Sequence, residues 1–165
     1  MIDISKYTSK SPIKPVLNYV YVHKIDGILH AVATDSFRIA QVKVWGLLAE
    51  HIQEGFYTPK AWKEITKLLN KDSHSVTLEL KELVTREMAV QTDESFPDYQ
   101  TILPKYEDCE PFKGDFHING DYLCELIKSV QDKKFKKFNF NKLLEYKGMT
   151  VYMDEDTVIQ IMGMK

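Results

Sequence analysis

The Asp26-Gly27 pair restricts the folding of this chain more than any other local feature. Asp-Gly between two apolar runs favours a two-residue hairpin turn, because both central residues of that turn take positive φ. Before the pair, residues 16–22 are rich in β-branched and aromatic side chains, and after it residues 29–33 return. Thr34-Asp35-Ser36 supplies a second reversal, since each of these side chains can bond nearby backbone N–H groups. The run 37–45 then alternates Phe37, Ile39 and Gln41 against Arg38, Ala40 and Val42. The expectation is a three-stranded meander.

The hydrophobic period then changes. Thr58 suits an N-cap and Pro59 the first helical position, while Trp62, Ile65, Leu68 and Leu69 share one face of a helix reaching about Asn70. Strands are expected at 75–80, 82–86 and 88–92. After a polar linker at 105–113 the plan recurs, with a short strand at 116–118, Asn119 as cap and a helix over 121–131. That helix buries Leu123, Leu126, Ile127 and Val130, and strands at 137–140, 149–153 and 158–162 follow. At one fixed offset, Tyr57, Trp62, Glu64, Ile65, Lys67 and Leu69 correspond to Ile118, Leu123, Glu125, Leu126, Lys128 and Val130. The chain therefore reads as α+β, built of repeated β-α-β-β-β units whose two helices pack on antiparallel sheets. Residues 1–105 hold the meander and one unit; residues 106–165 hold the second.

Composition excludes more than it selects. A chain of 165 residues, 44% hydrophobic and 28% charged with net charge -2, can bury one real core. It lacks the cationic excess of a dedicated nucleic-acid binder, although a local basic stripe remains compatible with it. Residues 1–10 are polar, so no signal peptide, membrane partner or span is expected, and the expected location is cytoplasmic. Cys109 and Cys124 stand without a Cys-x-x-Cys pattern and are expected to be reduced. The histidines His23, His30, His51, His74 and His117 show no metal spacing, so neither a metal nor another cofactor is expected. Asp35, Asp98, Asp154, Glu155 and Asp156 lie near turns, but no His, Ser or Cys stands at a catalytic spacing to them. No enzyme is expected.

Two segments carry the functional signal. Ala33-Thr34-Asp35-Ser36-Phe37-Arg38-Ile39-Ala40 reads alone as a well-formed hairpin, or as an apolar–cationic–apolar trio lining a surface groove. Phe96-Pro97-Asp98-Tyr99-Gln100-Thr101-Ile102-Leu103-Pro104 reads alone as a packed corner with an extended exit. Together and in this order, with Pro15-Val16-Leu17-Asn18 ahead of them, they resemble the middle domain of the bacterial DNA polymerase sliding clamp, the beta subunit of the replicative polymerase. The final residues, Ile159 to Lys165, are similar to the clamp's C-terminal tail. The resemblance spans nearly the whole chain but skips territory. The first domain, the opening of the second and the first half of the third have no counterpart, as in a shortened clamp of phage or mobile-element type.

The resemblance implies a groove for the short linear peptides of polymerases, the loader and repair proteins. Its lining here would be Leu17, Thr34, Ser36, Phe37, Arg38 and Ile39, then Pro97, Thr101 and Ile102, then Met162, Gly163, Met164 and Lys165. Three departures are visible: Ser36-Phe37 replaces the usual Gly-His pair, Gly163 a proline, and Gln100-Thr101 a basic pair. They imply a bulkier, less cationic groove with different preferred anchors. The resemblance also implies helices facing duplex DNA. Lys60, Lys63, Lys67 and Lys71 form a stripe that suits non-specific, weak phosphate contact or equally a solvated face. The second helix offers a mixed stripe of Asp121, Glu125, Lys128 and Asp132, with Lys133 and Lys134 beside it. A processivity factor of this length must form a homo-oligomer to encircle DNA; the alternative is a ring-less mimic or adaptor that competes with a host clamp for its peptides.

Overall fold

The computed structural model describes residues 1–45, 49–71, 76–87, 94–103, 118–130, 148–154 and 157–162. The meander forms as expected from β1 (Val20–Ile25), β2 (Ile28–Thr34) and β3 (Arg38–Lys43). Asp26 (φ 50) and Gly27 (φ 79) both take the left-handed conformation that their turn requires. Residues 16–18 depart from the expected strand: Pro15–Asn18 is a 3-10 turn, and the strand begins only at Val20. Pro15 fixes its own φ and removes a donor, which suits a helical start better than a ladder.

β4 (Gly55–Tyr57) leads into α1 (Pro59–Leu69), capped as read from sequence, with the Thr58 hydroxyl accepting from the Ala61 N–H at 3.1 Å. The next segment corrects the sequence reading. Strands expected at 75–80 and 82–86 are replaced by a single helix, α2 (Val76–Glu87). A strand would place Leu80, Glu82 and Val84 on one face, yet Glu82 is exposed while Leu80, Leu83 and Val84 are buried. Spacings of three and four residues satisfy all three apolar side chains at once, so the helix wins. The expected strands at 88–92 and 137–140 and the linker at 105–113 lie outside the described residues. So do Phe116 and His117, which open the short strand expected at 116–118.

The helix α3 (Gly120–Val130) starts at Asn119, whose Oδ1 accepts from the Asp121 N–H at 2.9 Å. A closing hairpin, β5 (Gly148–Asp154) and β6 (Thr157–Met162), matches the final pair of expected strands. All six described strands make one sheet in the order β4-β1-β2-β3-β6-β5 with antiparallel pairing throughout. β3 is the seam, pairing with β2 from the meander and with β6 from the closing hairpin.

Strand alternation gives the sheet two unlike faces. Val22, Ala31, Ala40, Val42 and Ile159 join Trp62 and Ile65 of α1, Leu80 of α2 and Leu126 of α3 in the main core, with Ile4 and Tyr7 from the amino-terminal segment. The opposite face carries a small cluster of Val32, Ile39 and Tyr99, flanked by Ile25, Phe96 and Leu103. Among the described residues, no helix is long and apolar enough to cross a membrane.

Candidate functional site

The reversal between β2 and β3 is built by its own side chains. The Asp35 Oδ1 accepts from the Phe37 and Arg38 N–H groups, each at 3.0 Å, and the Thr34 hydroxyl accepts from the Ser36 N–H at 3.1 Å. That hydroxyl donates in turn to the Arg38 carbonyl at 2.8 Å. Ser36 sits at φ 77, a conformation that costs a non-glycine residue energy and is held here by these bonds.

Beside this turn lies a cavity of about 250 Å³. Leu17 enters from the 3-10 turn, and Thr34, Ser36, Arg38 and Ile39 from the reversal. Pro97, Tyr99 and Ile102 close it from the loop 94–103. That loop is folded on itself: the Tyr99 carbonyl accepts from the Ile102 N–H at 3.0 Å and the Leu103 N–H at 3.1 Å. Seven of the residues assigned to a groove from sequence thus share one cavity wall, although they come from three separated segments.

Other assignments fall elsewhere. Phe37 is 61% exposed and lies 6.5 Å from the Tyr122 ring of α3, away from the cavity lining. Thr101 is exposed and donates its hydroxyl to the Asp98 carbonyl at 3.1 Å. β6 runs antiparallel to β3 with Ile161 opposite Arg38, so the strand ends beside the reversal. The Met162 side chain and residues Gly163, Met164 and Lys165 lie outside the described residues.

Arg38 lines the cavity, and its guanidinium is engaged within the protein. Its guanidinium bonds the Asp35 Oδ2 at 2.8 Å, the Glu125 carboxylate of α3 and the Lys6 carbonyl at 3.0 Å. The Tyr7 and Tyr122 rings lie 5.0 Å and 4.4 Å from it. Only 7% of Arg38 is exposed. Burial opposes its charge, but hydrogen bonds to Glu125 and Asp35 outweigh that cost and hold its pKa above the ordinary value. Lys6 nearby is shifted down by burial, with Glu125 and Asp3 opposing. Glu125, half-exposed on α3, thus spends its carboxylate on Arg38. Leu126 beside it is fully buried and fixes α3 against the core.

Tyr99 and Lys14 complete the cavity and were absent from the sequence-based groove. Tyr99 is buried and shares a 2.7 Å hydrogen bond between its hydroxyl and the His23 Nε2. Burial pushes its phenol up to about 12 and shifts His23 below its usual value. Behind it runs a ring stack: Tyr21 lies 4.7 Å from His23, 4.9 Å from Phe56 and 4.9 Å from Phe96. The sequence carries no signal for Lys14, because residues 16–22 read as a strand; the 3-10 turn brings it to the side of Leu17, whose N–H bonds the Lys14 carbonyl at 3.1 Å.

Lys60, Lys63, Lys67 and Lys71 are all exposed along α1 and its end, whereas Lys133 and Lys134 lie outside the described residues. On α3, Asp121 and Lys128 are exposed. Among the described residues, no group of three or more His, Cys, Asp and Glu side chains is arranged to hold a metal ion.

Compared with solved structures, the chain aligns over nearly its full length with bacterial sliding clamps. The DNA polymerase sliding clamp of Pseudomonas aeruginosa matches with a TM-score of 0.67 at 14% identity, covering 98% of this chain and 61% of that one. The fold is that of the sliding clamps. The pol III beta of Caulobacter crescentus matches with a TM-score of 0.62 at 16% identity, over 99% of this chain and 62% of the other. A DnaN clamp from Bartonella birtlesii, solved bound to griselimycin, gives 0.59 at 14% identity, over 99% and 62%. This chain therefore spans about 61% of the length of the clamps it matches. No family model and no curated protein matches the sequence.

Proposed function

We propose that this clamp-fold chain is a non-enzymatic docking protein that holds replication or repair proteins through linear peptides seated in the cavity beside the Thr34–Arg38 reversal. The observation that carries this reading is the convergence of Leu17, Ile39, Pro97 and Ile102 on one cavity of about 250 Å³. A cavity of that volume takes one or two aliphatic or aromatic side chains, with a hydroxyl at Ser36 to orient a polar neighbour. Fluorescence titration with a labelled clamp-binding peptide tests it. Saturable binding that is abolished by Ile39→Asp in a folded variant is expected; binding indifferent to that change sinks the reading.

As a processivity factor, the protein would place α1 toward duplex DNA in a ring of several copies. The four exposed lysines of α1 and its end support loose phosphate contact without base reading. Multi-angle light scattering with and without DNA tests the ring, and a monomer under both conditions excludes it. The mixed exposed charges Asp121 and Lys128 on α3 favour a second reading, a ring-less adaptor that competes with a clamp for its peptides. That reading expects peptide binding together with no salt-sensitive DNA association.

A further inference from the structure

The loop 94–103 rests on the sheet through two aromatic contacts. Its Phe96 ring stacks on Tyr21 at 4.9 Å, and its Tyr99 ring meets His23 edge-on at 5.7 Å. The Tyr99 hydroxyl lies 2.7 Å from the His23 Nε2. Tyr99 is 4% exposed, whereas Ser95, Pro97, Asp98, Gln100 and Thr101 are all exposed, so that ring is the loop's buried anchor. A neutral imidazole suits this contact, because its Nε2 accepts from a phenol that burial keeps protonated. An imidazolium has only donors. The phenol would then have to turn and accept, giving up the acceptor of its own buried proton.

The groups around His23 do little to hold a charge there. His30 stands directly opposite it on β2, and Lys43 stands opposite His30 on β3. On β1 the Tyr21 ring stacks on it at 4.7 Å and Lys24 follows it. From the loop, the exposed Asp98 adjoins Tyr99. Ahead of β4, the exposed Glu54 already holds the Lys24 ammonium at 3.7 Å and accepts from the Lys24 N–H at 3.0 Å. Burial lowers the His23 pKa against the pull of Glu54 and of the Lys24 backbone. We propose that His23 is a pH-sensitive latch: its neutral ring pins the loop 94–103 to the sheet through Tyr99, and its protonation lets the loop lift so that the imidazolium reaches water. The device belongs to the loop and does not depend on what the cavity holds. The pinned state takes up a proton less readily than the lifted one. Pinning is therefore complete above about 6.5, weakens as pH falls below it, and levels off once the pinned-state pKa is passed.

Amide hydrogen exchange on the full chain at about pH 7.5 and about pH 5, with each rate divided by its intrinsic value at that pH, tests the latch. The Ile102 and Leu103 N–H groups bond the Tyr99 carbonyl and report the loop, since a single turn lifted from its support is not stable in water. The β2 and β3 amides report the whole fold. Loop protection is expected to lie below sheet protection at both pH values, and to be about tenfold lower at the acid one. That fall should vanish in His23→Gln and persist in His30→Gln. Tyr99→Phe, which keeps the ring, should lower loop protection already at neutral pH. Loop amides that exchange together with the sheet amides at both pH values overturn the latch, because the loop then leaves only with the whole fold. Loop protection that is equal at the two pH values, a fall that survives His23→Gln, or unchanged protection in Tyr99→Phe overturns it as well.

Discussion

On one face of the sheet, helices α1, α2 and α3 bury a continuous core around Trp62, Ile65, Leu80 and Leu126. On the other, the loop 94–103 covers only a small cluster at Val32, Ile39 and Tyr99, and leaves a cavity at its edge. The difference teaches where packing is separated from open volume in this fold. Helices fill space by interdigitating, so the described side chains of that face are committed to packing. The looped face retains unfilled volume, half-buried rings and an exposed cation. Arg38 is the point where the two faces meet, since its neighbours Ser36 and Ile39 line the cavity while its guanidinium is held by α3.

The contrast can be broken first on the helical side. Trp62 is fully buried, so Trp62→Ala should cost about 3–5 kcal/mol, read by chemical denaturation. A loss under about 1 kcal/mol would show that the helical face is not the stabilising one. Next, Arg38→Met should cost about 2 kcal/mol by leaving Asp35 and Glu125 without their cation. It should also weaken peptide binding through a loosened reversal, which a Glu125→Gln variant should reproduce more mildly. On the looped side the balance should invert. Ile102→Ala at a half-buried wall should change stability by about 1 kcal/mol or less yet lower peptide affinity about tenfold. Equal effects on both quantities would erase the distinction between the faces.

The smallest effect concerns pH. Burial lowers the His23 pKa below 6.5, so just under that value the unfolded chain binds a proton that the folded chain resists. Stability should therefore fall as pH drops from about 6.5 and level off once the folded-state pKa is passed. Protonation also leaves both ring nitrogens as donors, which alters the bond with the Tyr99 hydroxyl at the cavity. Thermal melts from pH 7.5 to 5 should show this slope in the wild type and a flatter one in His23→Gln.

What can be read from the sequence is whatever local chemistry decides alone. Asp26-Gly27 dictates a turn, Thr58-Pro59 a helix start and Asn119 a cap, and all three stand in the structure. The groove assignment draws on motifs, and the structure brings most of those residues to one cavity. Residues 76–87 read as strands because Leu78, Glu79, Leu80 and Lys81 alternate apolar with charged side chains. A period of two then competes with 3.6 until α1 supplies a packing surface. Arg38 reads from sequence as a groove-lining cation and no more. Nothing near it in sequence announces Glu125, and only the packing of α3 brings that carboxylate to it. The pairing of His23 with Tyr99 likewise exists only in three dimensions.

The position of β3 has a consequence for the order of events during synthesis. Leu17, the reversal and the loop 94–103 leave the ribosome well before β6, so every described wall of the cavity precedes the strand that pairs with Arg38 through Val42. Until Thr157–Met162 arrives, β3 presents an open ladder, the kind of edge that recruits a wrong strand. Pairing so distant in the chain is slow to form. A nascent or truncated chain would thus own the described cavity walls before the strand that covers the edge of β3.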